Sequence, residues 1–165
     1  MKHPSILHKI AWALCLLTGI VLSLKAIREP DLWWMYRTGE WMLEQGQVTR
    51  QDSFSYTFEG VEWINVKWLF EVLISLAKNA FGVEFIFIFQ ALVTVIILSL
   101  FYRSAQLLYT TQTAIKSSKA PFTGLFFAAL LMLYTIDFRL IGRPEMTSHL
   151  MVAAYLYIFW KYYYH

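Results

Sequence analysis

Charge is what this sequence has least of. Only 15% of its 165 residues are Asp, Glu, Lys or Arg, while 58% are hydrophobic. Soluble domains average about 25% charged and about 45–50% apolar, so composition alone marks a membrane protein. Cysteine is almost missing. Cys15 stands by itself in an apolar run, which excludes a disulfide framework and leaves it a small lipid- or core-facing residue. Four prolines and seven glycines exclude a low-complexity chain. No basic cluster interleaved with aromatics is present, so nucleic acid is not an expected partner. A Ser-His-Asp order, a Gly-rich phosphate loop and a CxxC pair are missing too. His149 has no companion at ligand spacing and reads as a satisfied polar group rather than a metal ligand. The net charge of +3 is small, so where the charges lie matters more than their sum.

Four apolar segments are present. The first covers 6–27, with an unbroken core from Ile10 to Leu24 between Lys9 and Lys25, whose stems can reach the interfaces. A secretory signal peptide is the competing reading. Leu24-Lys25-Ala26-Ile27 offers no small-x-small cleavage site, which favours a retained anchor. The second covers 83–102, broken only by Glu84 at its mouth and Gln90 inside. The third and fourth cover 121–138 and 146–164. The expected fold is therefore an all-α polytopic membrane protein with four transmembrane helices.

Between the first two segments lies the polar stretch 28–82, with five of the seven tryptophans. Residues 31–45 predict a helix: Pro30 ends the first segment, Asp31 can N-cap, and Gly46 stands where a C′ glycine belongs. Trp34, Met35, Trp41 and Met42 share one side, opposite Arg37, Glu40 and Glu44, as in a helix lying among lipid headgroups. Phe54, Tyr56 and Phe58 then alternate with Ser55 and Thr57 ahead of Glu59-Gly60, predicting a short hairpin or an extended lasso over 53–65. Residues 67–81 predict a second amphipathic, juxtamembrane helix. Its polar stripe is Lys67, Glu71, Ser75 and Lys78, opposite Leu69, Val72, Leu76 and Ala77.

Orientation follows from the bases. Lys2 and Lys9 lie in the N-terminal segment, and the connector 103–120 carries Arg103, Lys116 and Lys119 with no acid. The stretch from Lys25 to Glu84 holds six bases and nine acids. The positive-inside rule places the N-terminus and the connector in the cytoplasm and the loop 28–82 outside. The turn 137–145 faces outward with it. Asp31, Asp137 and Glu145 then share one side of the membrane. Carboxylates from separate segments suit a hard divalent cation. A carboxylate can instead act as general base on a hydroxyl acceptor. Arg139 and Arg143 can clamp phosphate oxygens, and Lys67 can add a point charge. The plainer roles stay open: Asp31 as a helix cap, Asp137 with Arg139 or Arg143 with Glu145 as interfacial ion pairs, the arginines as lipid-headgroup contacts.

The stretch PDLWWMYRTGEWMLEQGQVTRQDSFSYTFEGVEWINVKWLFEVL, together with the later GRPEM, resembles the N-terminal part of bacterial GT-C superfamily glycosyltransferases. That superfamily includes the aminoarabinose and mannosyl transferases and the oligosaccharyltransferase catalytic subunit. The resemblance rests on Asp31–Leu73 and the Arg143-Pro144 turn. It implies transfer of a sugar from a polyprenyl-phosphate donor to an acceptor on the outer side. Asp31, opening the first outer loop, would be the catalytic carboxylate that orients or deprotonates the acceptor, and Asp137, or Glu145 in its place, a second acid that helps bind the acceptor or a divalent metal such as magnesium or manganese. Members have more spans than this chain, so the resemblance also implies that these residues are the front of a longer enzyme, inactive alone. A non-catalytic accessory or assembly protein is the rival reading.

Overall fold

The computed structural model describes residues 6–24, 30–115, 122–136 and 142–164. Among them the chain forms six helices and no named strand: α1 Ile6–Ser23, α2 Pro30–Gln45, α3 Trp68–Phe81, α4 Phe85–Ile115, α5 Phe122–Ile136 and α6 Glu145–Tyr164. They fall into two compact units. Ile27–Ile88 holds α2, α3 and the first residues of α4, while Met1–Ala26 and Phe89–His165 hold the rest.

In the α2–α3 unit the helix boundaries follow local chemistry. Pro30 opens α2 with a preset φ and a missing N–H that would have no partner there. Asp31 is the second helical residue rather than the cap before the helix, and its carboxylate faces the positive end of the helix dipole. Gly46, at φ 66°, takes the left-handed conformation that stops the helix, and its N–H donates to Met42 O at 2.9 Å. Leu32, Met35, Tyr36, Thr38, Gly39 and Met42 form the buried side of α2, a helical stripe of the expected period.

That stripe meets α3, and it meets the polar side of it. The buried residues of α3 are Glu71, Ile74 and Ser75. Ser75 Oγ donates to Tyr36 O at 2.8 Å. The Lys78 ammonium pairs with the Glu40 carboxylate and lies 5.3 Å from the centroid of the Tyr36 ring. The helices cross so closely at Gly39 that a Cβ there would sit 2.1 Å from the Glu71 carbonyl oxygen. Trp68, Leu69, Leu73 and Leu76 are left exposed. Met35 and Met42 are therefore core residues of this helix pair, not part of a headgroup-facing side.

Between the helices the chain forms a lasso rather than a regular hairpin. Gln51 and Glu62 make one antiparallel bridge, flanked by Asp52 N–H to Val61 O at 2.9 Å and Trp63 N–H to Arg50 O at 2.8 Å. Asp52 Oδ1 accepts the N–H groups of Phe54 and Ser55 at 3.0 and 2.8 Å, an Asx turn. Trp34 meets the rings of Phe54 and Trp63 edge-on, at 5.4 and 6.4 Å, and so ties the lasso to α2.

The other unit is built on small and apolar contacts. Cys15, Val93, Ile97, Leu98, Ala129, Leu133 and Met146 form its buried cluster. Ser23 Oγ bonds Thr94 Oγ1 at 2.9 Å and Gly19 O at 2.7 Å, and Trp12 stacks on Tyr102 at 4.4 Å. Large apolar residues such as Leu14, Leu17, Phe127, Leu131, Met151 and Ile158 are exposed.

Four transmembrane helices do not emerge. Among the described residues one helix, α4 over Phe85–Leu108, is long and apolar enough to cross a bilayer, where about 20 apolar residues are needed. The apolar part of α1 is Lys9–Ser23 and that of α5 is Phe126–Thr135, both too short. α6 has the length, 20 residues, but not the hydropathy. His149, Lys161 and a run of tyrosines bring polar atoms into it. α4 also continues to Ile115, so much of the expected connector 103–120 is helical.

Candidate functional site

Asp31 is exposed on the first turn of α2. The six buried residues of that helix hold it against α3, so the carboxylate sits on a fixed element rather than a loose loop. Lys67, in the same unit, is half-buried just before α3, with Ile64 and Val66 exposed beside it. Arg143 and Glu145 belong to the other unit, both half-buried. There Met146 N–H donates to Arg143 O at 3.1 Å and Thr147 N–H to Pro144 O at 3.0 Å, forming the first turn of α6. Asp137 and Arg139 lie outside the described residues. Among the described residues no group of three or more His, Cys, Asp or Glu side chains is placed to hold a metal ion. Of the expected metal ligands only Glu145 falls among those residues.

The most unusual titratable group in the α2–α3 unit was not among the expected site residues. Glu71 is fully buried. Asn65 Nδ2 donates to its Oε2 at 2.6 Å, while Oε1 has no hydrogen-bond partner among the described residues. Asn65 is itself fixed, because its Oδ1 accepts the Lys67 N–H at 3.0 Å. Burial pushes the Glu71 carboxyl above the ordinary carboxylate range, opposed by the Asn65 hydrogen bond and the Lys67 charge. Asp52 is shifted the other way: the Ser55 hydroxyl, then the N–H groups of Phe54 and Ser55, stabilise its ionised form. The sequence did hold one signal for the buried carboxyl. Gly39 interrupts an otherwise strong helix, as a close helix crossing requires, and Glu71 shares a face with Ser75 and Lys78.

In the other unit a cavity of about 510 Å³ opens between α4, α5 and α6, lined by Ile97, Phe101, Met132, Leu156 and Trp160 among others. That size lies within the usual range for small-molecule sites, about 300–1,000 Å³. Its lining is almost wholly apolar apart from Ser104, Ser148 and His149, which suits hydrocarbon and not a charged group.

No family model, curated protein or solved structure matches the chain.

Proposed function

We propose that these residues are the N-terminal part of a membrane glycosyltransferase that moves a sugar from a polyprenyl-phosphate donor to an acceptor on the outer side of a bacterial cytoplasmic membrane. The observation that carries the reading is the exposed Asp31 carboxylate on a helix anchored along its length. A general base must be held in place relative to the proton it takes. Membrane residence is supported by the surface. In both units large apolar side chains face outward, and polar groups such as Ser23, Thr94, Glu71 and Ser75 are buried beside the apolar core, an arrangement that lipid surroundings favour.

In this mechanism the acceptor hydroxyl gives its proton to the Asp31 carboxylate as its oxygen attacks the anomeric carbon. The new C–O bond forms as the bond from that carbon to the phosphate oxygen breaks, with inversion. The lipid phosphate leaves as an anion, and Lys67, in the same unit as Asp31, is the cation assigned to meet it. No step is routed through a metal. The test is Asp31→Asn in the full-length protein in its own membranes, supplied with a polyprenyl-phosphate sugar. Transfer should be abolished while membrane insertion is kept; retained transfer removes Asp31 from the mechanism.

A second reading, a non-catalytic accessory subunit, is favoured by the lasso. Tyr56, Phe58, Ile64 and Val66 are exposed along it, as on a surface that docks on another protein. On that reading Asp31→Asn is silent, and a paired Ile64→Ser, Val66→Ser change releases a partner protein.

A further inference from the structure

We propose that Glu71 is a proton-binding latch: its protonated form holds residues 62–67 and α3 closed on α2, and its ionisation lets water in and loosens that contact. The inference stands on geometry and does not depend on glycosyl transfer.

The orientation of Asn65 decides where the proton sits. Its Oδ1 is taken by the Lys67 N–H and its Nδ2 is aimed at Glu71 Oε2. Oε2 must therefore accept, which leaves Oε1 as the oxygen that carries the proton. Once the proton leaves, Oε1 becomes part of a buried anion with no donor among the described residues. Leaving a buried polar group unpaired costs about 1–3 kcal/mol, and more for a charge.

The surrounding charges do not remove that cost. On α3's own side Lys67 is the nearest cation that lowers it, but it is half-exposed and screened. Lys78, further along α3, is committed to Glu40. From α2, Glu40 also faces Arg37 at 3.7 Å, and Tyr36, whose phenol burial pushes above its ordinary range, supplies no charge. From the lasso Asn65 is neutral. The way left to solvate Oε1 is to open the contact between α2, α3 and residues 62–67.

The sign of the pH dependence follows. The folded state holds the Glu71 proton more tightly than the unfolded chain, whose carboxyl has the ordinary value of 4.5. The stability this contributes is complete below that value and is lost as pH rises through the higher folded value. Each unit of separation appears as about a tenfold change in the opening equilibrium.

The test is an infrared titration of the protein in bilayer discs, with amide exchange of residues 62–75 followed over the same pH range. The carbonyl stretch of one protonated carboxyl should persist above the pH at which the bulk of the carboxyl absorption has gone. It should vanish in Glu71→Gln. Exchange of residues 62–75, corrected for intrinsic base catalysis, should speed up as the band disappears and should lose that step in Glu71→Gln. Asn65→Ala removes a donor that favours the anion and should move the transition to higher pH. If the wild-type band is lost together with the bulk of the carboxyl absorption, the proposal is overturned whether or not the variants fold. A late band that survives in Glu71→Gln, or exchange without a step, overturns it too.

Discussion

The two units solve helix packing in opposite ways. In the α1/α4–α6 unit, most contacts are made by small and apolar groups, with Cys15 and Ala129 at the core, a Ser23–Thr94 hydroxyl pair and the buried Gln90 amide. In the α2–α3 unit the seam itself is polar: Ser75 on the Tyr36 carbonyl, Lys78 on Glu40, Glu71 on Asn65, with Gly39 letting the backbones close. The first arrangement belongs where the surroundings are as apolar as the core. The second ties a helix pair together by directed bonds and holds its only buried carboxylate among the described residues in place. Chemistry that needs a fixed titratable group is therefore better placed in the α2–α3 unit.

That contrast can be broken in graded ways. The largest effect should come from Gly39→Ala, because its Cβ meets backbone atoms that cannot rotate away. Overpacking of this kind costs about 1–3 kcal/mol, and more when backbone must move. Faster proteolytic nicking of residues 47–66 would report the parting of α2 and α3. Next is Lys78→Met, which breaks a pair whose side chains are 25% and 20% exposed and leaves Glu40 only the more exposed Arg37 at 3.7 Å; at that depth a loss of about 1–2 kcal/mol is expected. Ser75→Ala should cost about 1 kcal/mol through the lost bond to Tyr36 O. Smallest is Thr94→Val in the other unit, about 0.6 kcal/mol, the average for hydroxyl bonds between helices in a bilayer. Denaturation in mixed micelles ranks the four. If Thr94→Val proved costlier than Ser75→Ala, the polar seam would not be what sets the α2–α3 unit apart.

The helices around the polar stretch were legible because their signals are local. Pro30, Gly46 and Gly82 mark ends that one residue's backbone geometry determines, and α2 and α3 begin and end within a residue of the sequence expectation. Which face would be covered was not legible. The stripe Lys67, Glu71, Ser75 and Lys78 looks solvated by periodicity, and only the partner helix turns most of it inward. Apolar content misled in the other direction. Segments rich in Leu, Phe and Tyr read as four spans, whereas one described helix, α4, has the length and hydropathy to cross. The expected site was legible only in part. Asp31 and Lys67 fall in one unit and Arg143 and Glu145 in the other, an assignment that spacing along the chain does not contain.

The proposed contact of the outward apolar faces with lipid is tested most directly on α3. In a Cys15→Ser background, single cysteines at Leu69, Leu73 and Leu76, with controls at Glu44 and Glu59, would carry spin labels in the membrane-reconstituted protein. Collision with dissolved oxygen and with a water-soluble nickel chelate would then be compared site by site. The three α3 sites should favour oxygen, as in hydrocarbon, and the controls should favour the chelate. Chelate-accessible labels at Leu69, Leu73 and Leu76 would contradict it, leaving that face to water or to another protein.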